Sequence, residues 1–308
     1  RKANIYMMEN IPGLRDEGYV INQDDYMDRL ETTISGWREA NGLWKNRNAN
    51  WVEVIKYLMQ DEDFGVQLKR NIPRTADLDV LLKGVTDEYT KMKIIHKYVR
   101  DNMQWNEYYG IWALDGVKSA WKDKKGTTGE INLILVNLLK DAGLKAKPVL
   151  VSTHKHGQVN TVDAGTYDFP GFYQFNNVLA FVEIGDKFYV LDASEKNTPS
   201  YLIPYDVLMT EGLVIEKIDT YEWGWRTLWD PRETYKNTIV LNGEIKEDGS
   251  MNGQASIYSY DYARLNRMPY VKKGEKDFKE RFLSSNSNIT IDSIHFTNME
   301  DDFLALGQ

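Results

Sequence analysis

Cysteine is absent from this 308-residue chain. That absence removes disulfides, thiolate metal sites and thiol nucleophiles together. No stretch approaches the roughly 18 uninterrupted apolar residues of a membrane-spanning helix. Arg1 to Asn10 lacks the ordered charged, apolar and small-residue regions of a secretion signal, and Arg rather than Met stands first, so the chain reads as an excised or processed piece. Cations are outnumbered, 38 Lys and Arg against 46 Asp and Glu, for a net charge of -8. Phosphate backbones are bound by clustered Lys and Arg, so nucleic acid is not expected as a partner. Histidine is scarce too, with four in all. His154 and His156 have no cysteine or spaced carboxylate nearby in sequence and read as a solvated loop, so no metal is expected. His96 falls in a helical register beside Ile95 and Val99 and reads as core packing.

What is present is a large apolar complement, 42% of residues, enough for a sizeable core in two domains or one elaborated domain of a soluble protein. Residues 26–37 alternate, with Leu30, Thr32 and Ile34 on one face, and predict an edge strand left from a preceding β unit. Asn50 is placed to cap a helix through Trp51, Val54, Ile55 and Leu58; a second helix follows Thr86 with Met92, Ile95 and Val99 in register. The strongest signal comes after Gly126. Ile131, Leu133, Ile134, Leu135, Val136, Leu138 and Leu139 surround the helical cylinder, which predicts a buried central helix. Thr127 and Glu130 form a capping box at its start, and Gly143 suits a left-handed stop.

Three short β runs follow, 146–152, 177–184 and 187–191, so a central helix precedes an antiparallel sheet in an α+β arrangement. Beyond residue 230, runs 238–245 and 251–260 flank Asp248-Gly249, a hairpin signal, and 289–296 alternates as a further strand. Phe303, Leu304 and Leu306 read as a strand cut within a domain. There is no internal repeat. The aromatic-rich stretch 216–236 reads as a packed linker, giving a β remnant over 1–48, a core over 49–220 and a C-terminal β unit over 221–308.

The segments KKGTTGEINLILVNLLKDAGLKAKPVLVST and FNNVLAFVEIGDKFYVLDASEKNTPSYLIP resemble the bacterial transglutaminase-like family, whose core is papain-like. ENIPGLRDEGYV and the region after Trp229-Asp230-Pro231-Arg232 resemble the β domains of unknown function that flank such cores in multidomain envelope proteins. The resemblance implies a papain-like core followed by a partial β-sandwich. It also implies a triad in which a Cys at a helix N-terminus attacks, a His moves protons and an Asp orients the His. Thr128 stands at the Cys position, Asn177 at the His position, and Asp192 keeps the third place in Leu191-Asp192-Ala193.

A threonine hydroxyl needs an adjacent base to attack a carbonyl, and the amide of Asn177 takes no proton near neutral pH. Thr128 therefore reads as a helix N-terminal residue satisfying free backbone N–H groups. Asn177 and Asp192 then form a polar pair left in an old cleft, and Asp192 could equally cap a turn before Ser194. The implied function is a catalytically inactive transglutaminase-like protein, without cofactor, that binds or scaffolds in the periplasm or at the cell surface. Its partner would be a peptide or glycan ligand or another envelope protein. The alternative is a hydrolase of peptides or glycans that uses Asp192, Glu130 or a tyrosine of the same cleft. Trp105, Tyr108, Tyr109, Trp112 and Trp121 precede the central helix, where the resemblance places the cleft border, and either line it or pack between domains, as Trp223, Trp225 and Trp229 would. Glu130 either faces that cleft or serves only the capping box.

Overall fold

The structure, a computed structural model, describes residues 5–15, 20–28, 34, 36–46, 50–159, 170–217, 220, 222–286, 288–302 and 304–308. Residues 29–33 and 35 of the edge strand expected over 26–37 lie outside the described residues. What is described there is a 3₁₀ turn at Gln23–Tyr26 and a small antiparallel pair, β1 (Gly36–Arg38) with β2 (Trp44–Asn46).

Helix α1 (Trp51–Gln60) starts at Asn50, whose side chain accepts from the Glu53 N–H, as its sequence predicts. It buries Trp51, Val54, Ile55, Leu58 and Met59. Next come α2 (Ala76–Leu82), capped by Thr75, and α3 (Glu88–Asn102), capped by Asp87. A two-residue strand β3 (Gln104–Trp105), helix α4 (Val117–Asp123) and strand β4 (Lys125–Gly126) lead into the central helix α5 (Thr128–Asp141). Every residue from Thr128 to Leu139 is buried, because α5 is enclosed by α1, α3, α4 and a sheet. Gly143 at φ +86° ends the helix.

That sheet is antiparallel in the order β7 (Lys187–Leu191), β6 (Asn177–Ile184), β5 (Lys145–Val151), β8 (Glu211–Lys217), β9 (Glu222–Thr227). One face presents Ala146, Leu150, Val178, Ala180, Val182 and Leu213 to α5. The other presents Val149, Val151, Leu179, Phe181, Val190 and Val214 to Ile203, Val207 and Leu228. Burial on both faces explains why β6 reads as a nearly continuous apolar run. The expected boundary between residues 220 and 221 is corrected here: it falls inside the β8–β9 hairpin. Trp223 and Trp225 belong to the core sheet and pack on Trp51 and Phe175, with ring centroids 5.4–6.3 Å apart. Leu135→Ala in α5, where the leucine is fully buried, is expected to cost about 3 kcal/mol of stability, read as a lowered midpoint in denaturant unfolding.

Beyond Trp229 lie the hairpin β10 (Tyr235–Ile245) and β11 (Met251–Tyr260), two helices, α6 (Asp261–Val271) and α7 (Glu275–Ser284), and a short strand β12 (Leu306–Gly307). Asp248-Gly249 turns the hairpin as predicted, with Gly249 at φ +81°. The expected partial β-sandwich is a different arrangement. Among the described residues the sheet is three-stranded, β10-β11-β12, and helices accompany it instead of a second sheet. The alternating run 289–296 forms no strand; Ile294 and Phe296 pack on the α7 side, with Phe296 5.3 Å from Phe278. Helix α6 hides its signals, since it has no side-chain N-cap and carries Pro269 inside. This part is fastened to the core by Tyr262, whose hydroxyl donates to Ile203 O at 3.0 Å, and by Arg100 with Asp302 at 3.1 Å.

Candidate functional site

The N-terminus of α5 is where a papain-like nucleophile would stand, and loop 106–115 is seated directly on it. Thr127 and Glu130 form the capping box: Thr127 Oγ1 accepts from Glu130 N at 3.1 Å and Glu130 Oε2 accepts from Thr127 N at 2.8 Å. The other carboxylate oxygen, Oε1, accepts from Asp115 N at 2.7 Å. Glu130 is fully buried, so both oxygens serve backbone and neither faces a cleft. The reading of Glu130 as a cleft acid is thereby corrected.

Thr128 is also fully buried. Its N–H donates to Tyr108 O at 3.2 Å, and its hydroxyl donates to Gly110 O and accepts from Gly110 N, both at 3.1 Å. The hydroxyl is thus bridged to the loop backbone in both directions. Gly129 permits this close seating, because a Cβ there would lie 2.8 Å from the carbonyl oxygens of Gly110 and Trp112.

Asn177 opens β6 and turns its own Oδ1 back to accept from Val178 N at 2.8 Å. Asp192 follows β7 at the same end of the sheet, since Ala180 pairs with Leu191. Its Oδ1 accepts from Asn132 Nδ2 at 3.0 Å and from Ser194 N at 2.8 Å, and also from the Ser194 hydroxyl. Asp192 therefore caps the turn before Ser194 and ties it to α5 one turn beyond Thr128. From α3, His96 Nε2 donates to Asp192 O at 3.0 Å. Burial first, then the Arg100 charge, push His96 down to about 4, which keeps it neutral near pH 7.

One member of this neighbourhood has no sequence signature. Asp206, in the 3₁₀ turn Tyr205–Val207, is pushed up to about 6 by burial and then by the negative charges of Asp192 and Glu195. Burial and then Asp206, Asp192 and Glu195 likewise raise Tyr109. Tyr109, Asp192, Asp206 and Glu195 thus share one electrostatic environment, in which the loop carrying Tyr109 meets the segment that follows β7.

The aromatic residues divide. Trp105 and Tyr109 meet edge to face at 4.8 Å, and Trp105 Nε1 donates to Tyr108 O at 3.0 Å. Tyr108 and Tyr109 are exposed, forming a lip over the α5 N-terminus. Trp121 does not line this place: it is buried, Nε1 donates to Pro73 O at 3.0 Å, and Lys124 Nζ sits 3.6 Å over its ring. The reason is that α4 turns Trp121 inward toward Tyr98 on α3. His154 and His156 are tied into their loop rather than free in solvent, through Leu208 O at 2.8 Å and Ser152 Oγ at 2.9 Å. A cavity of about 730 Å³ lies at the opposite end of α5, lined by Lys140, Lys145, Lys147 and Lys217 among others.

Residues 78–190 match the model of the transglutaminase-like superfamily. No curated protein matches the sequence. A crystal structure of a candidate protease from Parabacteroides distasonis ATCC 8503 is similar, at 18% identity and a TM-score of 0.34. The match covers 48% of this chain and 26% of that one, so this chain spans about a quarter of the length of the structure it matches. The helix that carries Thr128 and the strand that Asn177 opens both fall inside the matched segment, and Asp192 stands two residues past its end; over residues 78–190 this chain is similar to the transglutaminase-like superfamily.

Proposed function

We propose that this chain is a catalytically inactive member of that superfamily with a binding or scaffolding role in the bacterial cell envelope. The observation that carries the reading is Thr128, fully buried with its hydroxyl bonded in both directions to Gly110. A nucleophile needs an orbital free toward substrate and a base to accept its proton. Thr128, fully buried beneath the loop, presents none to substrate, and the amide of Asn177, which takes no proton near neutral pH, does not supply the second. The retained Asp192 holds a turn through Asn132 and Ser194. The exposed lip of Tyr108 and Tyr109, backed by Trp105, is the surface available for a peptide or glycan. The placement in the periplasm or at the cell surface rests on the resemblance of the flanking segments to envelope proteins.

The test compares wild type with Thr128→Ala, reading hydrolysis of fluorogenic peptides and incorporation of a fluorescent amine into a glutamine-bearing protein. Neither protein is expected to turn over either substrate above buffer. A wild-type rate that falls about a hundredfold or more in Thr128→Ala would overturn the reading, since losses of that order mark removal of a working catalytic group.

A second reading, hydrolysis of peptides or glycans by other residues of the cleft, no longer has Glu130 available. It is favoured by one observation, the elevated Asp206 beside Asp192. Loss of a glycan- or peptide-hydrolysing activity in Asp206→Asn, with Thr128→Ala unaffected, would select it.

A further inference from the structure

Strand β10 is an outer strand of its sheet, and among the described residues no strand pairs with its outer edge. Its eleven residues, Tyr235–Ile245, are exposed apart from half-buried Thr238. Ile239, Val240, Leu241 and Ile245 are 54–74% exposed. A long, apolar strand edge in water is a template for pairing with another strand.

The hydrogen-bond phase of that edge is fixed by its neighbours. Ile257 on β11 exchanges both backbone hydrogen bonds with Gln308, so odd residues of β11 face β12 and even ones face β10. The register pairs Ser256 with Val240 and Tyr258 with Thr238, so the even residues of β10 bond inward. Its odd residues, 237, 239, 241 and 243 among them, send their N–H and C=O groups outward.

We propose that β10 pairs antiparallel with β10 of a second copy of this chain, on a two-fold axis through Val240, making one continuous sheet across the dimer. In this register Ile239 meets Leu241 of the partner subunit and Asn237 meets Gly243 of the partner subunit. These are all odd residues, whose outward groups then exchange hydrogen bonds. The even residues form the closer, non-hydrogen-bonded pairs. There Lys236 lies opposite Glu244 of the partner subunit, twice by symmetry, and Val240 meets itself. Within the monomer Lys236 lies 5.1 Å from the Tyr260 ring, and Glu244 stands across from Asn252, so neither faces an opposite charge across its own hairpin. Sliding the pairing by one step, to an axis through Leu241, would set Lys236 against Lys246 and replace attraction by repulsion. The strand is therefore self-complementary in one register in both charge and hydrogen-bond phase, as an isologous contact requires.

The test is sedimentation equilibrium of the 308-residue chain up to about 100 μM, a range suited to a small interface of this class. Wild type is expected to dimerise reversibly. Lys236→Glu and Glu244→Lys should each weaken the dimer about tenfold or more, because each places like charges opposite at two symmetric positions. The double variant should return to within about threefold of wild type. Lys236 and Glu244 are both exposed, and unchanged thermal unfolding of the single variants confirms that the monomer is intact. A monomer throughout the range, a dimer indifferent to the single changes, or a double variant no tighter than the singles would each overturn the proposal.

Discussion

Glu130→Ala is expected to lower the stability of this protein by about 4 kcal/mol, and Glu130→Gln by about 2 kcal/mol, measured as free energies of unfolding from denaturant titration. The carboxylate is fully buried and each oxygen accepts one backbone N–H, from Thr127 and from Asp115. Removing it strands two buried donors and dissolves the capping box that begins the most buried helix of the molecule. The glutamine variant keeps one acceptor but turns an NH₂ group toward a backbone N–H. A role as a cleft acid predicts the reverse: little loss of stability and a loss of activity. Stability of both variants within about 0.5 kcal/mol of wild type would refute the structural assignment.

Asp206→Asn should make the protein more stable at neutral pH and more sensitive to acid. The folded Asp206 sits at about 6 against an ordinary 3.8, so burial disfavours its charged form, and folding is helped by this group as pH falls through about 6. His96 acts with the opposite sign. Its folded value is about 4 against an ordinary 6.5, so the unfolded chain takes up a proton first and stability is lost as pH falls from about 6.5 toward 4. The two windows nearly coincide, and each amounts to roughly 3 kcal/mol at 1.36 kcal/mol per unit. Wild type is expected to be nearly flat from these two groups between pH 7 and 4, whereas Asp206→Asn should lose roughly 3 kcal/mol over that interval. Chemical denaturation at pH 7.0 and 4.5 reads the difference. Parallel pH profiles for the two proteins would show that the two groups do not carry these opposed roles.

The elements legible in the sequence are those whose signals are local. Asn50 before an amphipathic run gave α1, and the Thr127–Glu130 pair before an all-round apolar segment gave α5 with its start and stop. The β6–β7 hairpin and the β10–β11 turn were legible because Gly185-Asp186 and Asp248-Gly249 interrupt apolar or alternating runs. Less local features were misread. Strand β9 reads as linker because its alternation is confined to Trp223 and Trp225, and the surface they pack on comes from the distant Trp51 and Phe175. Helix α6 lacks a capping side chain, and the run 289–296 alternates only because two of its residues reach α7.

For the site, the order Thr128, Asn177, Asp192 along the chain already excluded thiol chemistry, since residue identity fixes which atoms can attack or take up protons. What those residues do instead was decided by tertiary structure alone. Loop 106–115 closes over Thr128, Asn132 and Ser194 claim Asp192, and the fold brings Asp206 and Tyr109 into one electrostatic environment from positions nearly a hundred residues apart. Sequence sets the chemistry each side chain can offer. Burial and the distance to partners, which depend on how the chain closes on itself, set whether that chemistry is free to act.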